Sequence, residues 1–203
     1  MQTQTFVRDV KILPYDQKVL FFFGDTPRGN QWSTLRLIRN DIQNMADAYP
    51  NAKGRALIFP RAMCLMTAVD LLAKMYDGKD EDKRAGDRFK DFIKFALPTE
   101  IYGEDIGATI YEFRNALHHS YQMPVPKSNG KGMQRFFSLI YEVDNHKVST
   151  DLGSKILINF PALHKACEVG FESFKKRLET TNLLSTRQGF EEMFSKYGWM
   201  SIG

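Results

Sequence analysis

The feature that most constrains the fold is the stretch from Leu57 to Tyr76, LIFPRAMCLMTAVDLLAKMY. It is apolar nearly all round, whereas a helix on the surface of a protein keeps one polar face. The stretch therefore predicts a buried central helix, with Pro60 in its first turn. Asp70 lies inside this apolar run, and a carboxylate in such surroundings needs a polar partner.

Apolar residues at three- and four-residue steps predict further helices. The first begins at Trp32, can be capped by Ser33 and ends at Pro50. The others are expected at about 82–97, 100–121, 160–178 and 190–197. Together with the central helix they predict a bundle of five or six helices.

Two parts of the chain are not predicted to be helical. Residues 1–31 contain prolines and glycines and predict an irregular or short-strand segment, in which VLFFFG forms a buried strand or a plug in the core. The stretch RFFSLIYEVDNHKVSTD predicts a β-hairpin at about 134–150, with its turn at Asp-Asn-His. The predicted fold class is mainly α: a helical-bundle domain over 32–203 with an inserted β-hairpin, preceded by the segment 1–31.

Composition and charge limit the function classes. The formal charge of +4 and the isoelectric point of about 9.0 permit an anionic partner such as nucleic acid without requiring one. Cys64 and Cys167 lie in apolar helical patterns, which predicts buried free thiols rather than a disulfide. The cysteines and histidines lack zinc-site spacing. The first residues lack a positively charged segment followed by a long apolar stretch, so we expect a cytoplasmic protein without a membrane anchor.

The stretch EFRNALHHSY, residues 112–121, places an arginine, an asparagine, two of the four histidines and a tyrosine at the end of a predicted helix. At about 100° per residue, His118 lies about 40° from the direction of Arg114 around the helix, and His119 about 140° from it. Helical geometry alone therefore favours His118 as the partner of Arg114. A long arginine and a distorted helix end can still bring His119 and Arg114 together, so both histidines remain candidates.

These residue types together suit the cleavage of RNA. A histidine titrates near neutrality and can exchange a proton with a 2′-hydroxyl or a leaving 5′-oxygen. An arginine can hold a phosphate at two points and offset the negative charge that builds up on it. A tyrosine can donate to a phosphate oxygen or stack on a base. This chemistry requires no metal ion.

The spacing of Arg114, four residues, His119, one residue and Tyr121 resembles the R-x4-H-x-Y motif of the HEPN superfamily. Its members are small helical-bundle proteins, many of them ribonucleases of toxin–antitoxin and anti-phage systems. Asn115 matches the polar residue that often follows the motif arginine. The resemblance implies a metal-independent endoribonuclease without a cofactor, which leaves a 2′,3′-cyclic phosphate and works as a homodimer. It also makes an antitoxin protein a candidate partner.

The resemblance implies a role for each motif residue. His119 would be the general acid or base, Arg114 would stabilise the phosphorane-like transition state, and Asn115 would orient the site or the arginine. Tyr121 would contact phosphate or serve as a modification site. His118 would be a helper or a mere neighbour.

Other residues are candidates on their own chemistry. Asp70 could be a second catalytic carboxylate or, as its apolar surroundings favour, a polar anchor that tethers Arg114. Lys127, Lys131 and Arg135 lie in or beside a basic loop and could hold the RNA backbone, although a solvated loop is the simpler interpretation.

Each motif residue also has a simpler interpretation. Arg114 could form a surface or interhelix salt bridge with Glu112 or another acid. A histidine at the C-terminal end of a helix is favoured by the helix dipole, and Tyr121 could simply pack its ring there. The alternative function is a non-catalytic HEPN-like bundle that binds nucleotide or RNA or scaffolds a partner. A helical interaction domain unrelated to HEPN is a further alternative.

Overall fold

The computed structural model describes residues 9–24, 26–49, 55–119, 124–125 and 135–202. Within these ranges the chain is a mainly helical bundle, as predicted, with eight α-helices and six short strands. The helices are α1 Tyr15–Phe23, α2 Thr34–Asp47, α3 Ile58–Asp77, α4 Ala85–Ala96, α5 Thr99–Tyr102, α6 Ile106–His119, α7 Phe160–Thr180 and α8 Leu184–Tyr197. The strands are β1 Gln31–Ser33, β2 Pro124–Val125, β3 Arg135–Ile140, β4 Ser149–Asp151, β5 Lys155–Asn159 and β6 Trp199–Ser201.

The central helix predicted from the apolar stretch is confirmed as α3. It packs against α2, α4, α6, α7 and α8. Its buried apolar residues lie on most of its circumference: Ala62, Leu65, Met66, Ala68, Val69, Leu71, Leu72, Ala73 and Met75. Burying each large apolar side chain contributes roughly 1.5–3 kcal/mol, so α3 is the main packing surface of the bundle.

The helix predicted after Trp32 is also confirmed. It is α2, and Ser33 caps it by accepting a hydrogen bond at Oγ from the backbone N–H of Arg36, at 3.3 Å. The cap satisfies one of the backbone N–H groups that a helix leaves unpaired at its start.

The prediction of an irregular or short-strand segment before residue 32 is wrong for α1. Val19, Phe21, Phe22 and Phe23 of this helix are buried, so the expected plug in the core is helical and not a strand. Phe22 contacts the rings of two phenylalanines of α8 edge-to-face. Because several sides of this short helix are buried, its apolar residues do not follow the three- and four-residue spacing that indicates a helix with one buried face.

The single helix predicted at about 100–121 is two helices. α5 ends at Tyr102, and α6 begins at Ile106. Gly103 between them has a φ of 90°, a backbone conformation that residues with a Cβ rarely adopt. The break leaves Ile101 74% exposed.

The hairpin predicted at about 134–150 is also wrong. β3 pairs in parallel with β5, and β4 pairs antiparallel with the other edge of β5, so β3 and β4 do not pair with each other. β2 adds to the outer edge of β3, which gives the order β2-β3-β5-β4. The short strand β5 was missed because it runs directly into α7. Ile156 and Ile158 are buried on it, and burial favours this inner position over an edge.

A second, two-stranded sheet joins the segment just before α2 to the C-terminal end of the described chain. β1 pairs antiparallel with β6, and Trp32 lies opposite Met200. Within the N-terminal segment, α1 packs against α2, α7 and α8. Among the described helices, none has both the length and the apolar character that crossing a bilayer requires.

Candidate functional site

An ion pair between α3 and α6 lies at the centre of the predicted site. Arg114 donates from Nε and Nη2 to Oδ2 of Asp70, at 2.9 and 2.7 Å. The two side chains are 28% and 32% exposed, so the pair lies at the boundary between core and solvent. The partner that Asp70 was predicted to need is therefore Arg114, which α6 places there because Phe113 and Leu117 turn into the core.

Asn115 holds the same guanidinium from the other side. Nη1 of Arg114 donates to Oδ1 of Asn115 at 3.1 Å. A guanidinium has five N–H donors, and hydrogen bonds to described residues use three of them. One N–H on Nη1 and one on Nη2 are left for another acceptor. Two partners thus fix the plane of the arginine, whose side chain is 28% exposed.

The histidines follow at the end of the same helix. His118 lies in the last turn of α6 and is exposed. His119 is the last residue of α6, but its side chain is outside the described part, as are all atoms of Tyr121. Whether His118 or His119 approaches Arg114 therefore stays a prediction.

The three basic residues proposed to hold RNA are largely outside the described ranges. Lys127 and Lys131 lie between β2 and β3, in residues that the structure does not describe. Arg135 is the first residue of β3, where its backbone pairs with Val125, and its side chain is not described. Their role stays a prediction as well.

The chemistry open to the described residues is limited. No group of three or more histidine, cysteine or acidic side chains in the described ranges could hold a metal ion. Burial raises the pKa of the Cys167 thiol, and burial together with the nearby Asp41 raises the pKa of Cys64. Both thiols are free, as predicted, and Cys167 is buried whereas Cys64 is half-buried. Their raised pKa values keep them protonated at neutral pH, so neither is an activated nucleophile.

A second polar cluster, which was not predicted from the sequence, lies between α2 and α7. Arg39 donates from Nη2 to Oε2 of Glu168, and Nε2 of His164 lies 3.7 Å from Oε1 of the same carboxylate. The His164 ring stacks on Phe160. Burial alone would raise the pKa of Glu168, but the nearby His164 and the charge of Arg39 hold it below its usual value. Only tertiary packing brings Arg39 to Glu168, so no spacing in the sequence could reveal the cluster.

The structure also places side chains beside a cleft that the sequence did not indicate. Tyr102 of α5 lies across this cleft from residues 144–149, the part of the β3–β4 connection that contains His146. From the sequence, this region was expected to form the turn of a β-hairpin. The two sides of the cleft are about forty residues apart in the sequence, which is why no motif connects them.

Comparison of the chain with models of known protein families, with curated proteins and with solved structures finds no match.

Proposed function

We propose that this protein is a metal-independent endoribonuclease of the HEPN type. The observation that carries the proposal is the state of Arg114, which Asp70 and Asn115 orient while two of its N–H donors have no acceptor among the described residues. This arginine lies four residues before His118 and five before His119 on the same helix. A fixed donor of positive charge about one helical turn before two histidines suits a reaction in which charge develops on a phosphate.

The proposed reaction needs one proton to leave and one to arrive. A histidine, His119 by the motif, takes the proton of an RNA 2′-hydroxyl, and the O2′ atom forms a bond to phosphorus. The bond from phosphorus to O5′ then breaks, and the leaving O5′ accepts a proton from a general acid. The products are a 2′,3′-cyclic phosphate and a 5′-hydroxyl.

Arg114 would stabilise this reaction at its most charged point. Its free Nη1 and Nη2 donors would contact the non-bridging oxygens of the phosphorane-like transition state. Asp70 would act as a positioning residue, because its carboxylate contacts Arg114 and not the RNA. Asn115 would restrict the same guanidinium, and Tyr121 would contact phosphate or carry a modification.

The resemblance extends the proposal to partners. A second copy of the chain would complete the cleft in a homodimer, and an antitoxin protein would restrain the activity in a bacterial defence or toxin–antitoxin setting. The proposed location is the cytoplasm, where RNA substrates are present.

The test is an RNA-cleavage assay in excess EDTA. It compares the parent protein with Arg114→Ala, His119→Ala and His118→Ala, purified identically. We expect cleavage by the parent and by His118→Ala, with cyclic-phosphate ends, and none by the other two. Loss of activity in His118→Ala instead would assign the proton transfer to the histidine that helical geometry favours. Equal cleavage by all four proteins would contradict the proposal.

A non-catalytic HEPN-like bundle that binds RNA or nucleotide is the second candidate. The ion pair between Arg114 and Asp70 favours this candidate, because an arginine that only joins two helices has no catalytic role. It predicts RNA binding by the parent protein without cleavage products at any incubation time.

A further inference from the structure

A cleft of about 680 Å³ lies between α5 and the loop that joins β3 to β4. Ile101 and Tyr102 line one side, and residues 144–149 line the other. Clefts of this size hold a small ligand or one unit of a polymer. The cleft contains none of the residues of the Arg114 site.

A buried asparagine gives this loop a fixed shape. Asn159 is 1% exposed, and its Nδ2 donates to the carbonyl oxygens of Glu142 and Asn145, at 2.9 and 2.6 Å. Its Oδ1 accepts from the backbone N–H of Glu142 at 3.0 Å, and its own N–H donates to the carbonyl oxygen of Val148 at 2.9 Å. One side chain and its backbone thus hold the loop at three residues. A loop ordered before binding loses little conformational entropy when a ligand arrives.

Hydrogen bonds within the loop add to this order. Oδ1 of Asn145 accepts from the backbone N–H of Lys147 at 3.0 Å, and Nδ2 of Asn145 donates to Glu142 at 2.7 Å. These contacts leave the side chains of Asp144, His146 and Lys147 exposed. In the described part of the chain, none of these three side chains has a hydrogen-bond or ion-pair partner, and neither has the hydroxyl of Tyr102.

We propose that this cleft binds one nucleotide of a single-stranded RNA, an inference that rests on the proposed function for the identity of the ligand. The ring of Tyr102 stacks on the base, which every base permits. The ammonium group of Lys147 contacts a phosphate. The carboxylate of Asp144 accepts a hydrogen bond from an amino group on the base edge, so cytidine is preferred to uridine at this position.

Packing connects the helix that carries Arg114 with the strand that leads into the loop. The rings of Phe113 and Phe137 are 5.5 Å apart and hold α6 against β3. The cleft and the Arg114 site therefore lie on adjoining elements of the fold.

The test measures binding separately from cleavage. A short fluorescein-labelled RNA with 2′-O-methyl groups cannot form the cyclic phosphate, so its fluorescence anisotropy reports binding alone. We compare the parent protein with Lys147→Gln, Tyr102→Leu and Asp144→Asn. Lys176→Gln, which changes an exposed lysine of α7 outside the cleft, is the matched control. Circular dichroism confirms that each variant is folded.

Each variant has its own expected result. Lys147→Gln lowers the slope of log K against log salt by about 0.7, because one phosphate contact is lost. Tyr102→Leu weakens binding about tenfold through lost stacking. Asp144→Asn reduces the preference for oligocytidine over oligouridine at least about fivefold. Lys176→Gln changes none of the three quantities.

The outcomes separate this proposal from the proposed function. If all three cleft variants bind the labelled RNA as tightly as the parent does, the cleft is not an RNA site, even if EDTA-resistant cleavage persists. Failure of the parent to bind the labelled RNA overturns it as well. Weakened binding in the cleft variants, combined with no cleavage of unmodified RNA by the parent, supports the cleft and contradicts the nuclease.

Discussion

In the described part of the chain, two arginine–carboxylate ion pairs join one α-helix to another, and they differ in what surrounds them. Arg114 pairs with Asp70 between α6 and α3, whereas Arg39 pairs with Glu168 between α2 and α7. The exposed fractions of the side chains are similar, 28% and 32% in the first pair and 30% and 26% in the second. In the second pair the carboxylate is shared with His164, while in the first Asn115 takes a further N–H of the arginine.

The difference shows that an ion pair between helices is not by itself a sign of function. Glu168 faces two cationic or basic side chains, which suits a contact that holds two helices. Arg114 has two acceptors, which suits an arginine held in place for a ligand. The similar exposure of the two pairs makes Arg39 and Glu168 matched controls for Arg114 and Asp70.

The largest expected effect concerns the two arginines. Arg114→Ala lowers RNA cleavage at least about 100-fold, the loss typical of removing one donor to a developing charge. Arg39→Ala leaves cleavage near the parental rate. Both variants lose an ion pair of about 1 kcal/mol, so both melting temperatures fall by about 2–4 °C. Single-turnover cleavage and thermal melting measure the two effects, and equal activity losses would make Arg114 a structural tie only.

A smaller effect is expected from the two carboxylates. Asp70→Asn keeps the size of the side chain but removes its charge, so Arg114 is oriented less well and kcat falls about tenfold with little change in KM. Glu168→Gln leaves both constants unchanged. Steady-state kinetics with a defined RNA check the prediction. A fall in kcat that Glu168→Gln reproduces would trace the effect to stability rather than to the position of Arg114.

The smallest effect is a pH dependence of stability at Glu168. Its pKa in the folded protein lies below the usual 4.5, so the ionised carboxylate stabilises the fold above that pH, and the contribution is lost as the pH falls through the folded-state pKa. Glu168→Gln should lower the free energy of unfolding at pH 7 by up to about 1 kcal/mol. Urea denaturation at pH 7 and about 3.5 should show the difference shrinking in acid. A difference independent of pH would contradict the role given to the charge.

The sequence predicted well the parts of the fold that depend on local pattern. The apolar stretch of α3 and the Ser33 cap of α2 are properties of a few neighbouring residues, and both predictions are confirmed. The predictions failed where distant segments compete. β5 lies between β3 and β4 because its isoleucines are buried there, a result that depends on residues far from the predicted turn.

The candidate site divides in the same way. The spacing of Arg114, Asn115 and the two histidines can be read from the sequence, and the need of Asp70 for a polar partner can be inferred from it. Arg114 was only one of several possible partners of Asp70, because the two residues are on different helices, forty-four positions apart. The packing of α3 against α6 decided it.

The sequence by itself therefore determined the helical class, the central helix and the composition of the motif, because periodicity and local capping act within a few turns of chain. The tertiary structure alone decided the strand order, the sharing of Glu168, and the cleft between Tyr102 and the loop held by Asn159. These features depend on contacts between residues far apart in the chain. Such contacts form only where the burial of apolar side chains brings their segments together.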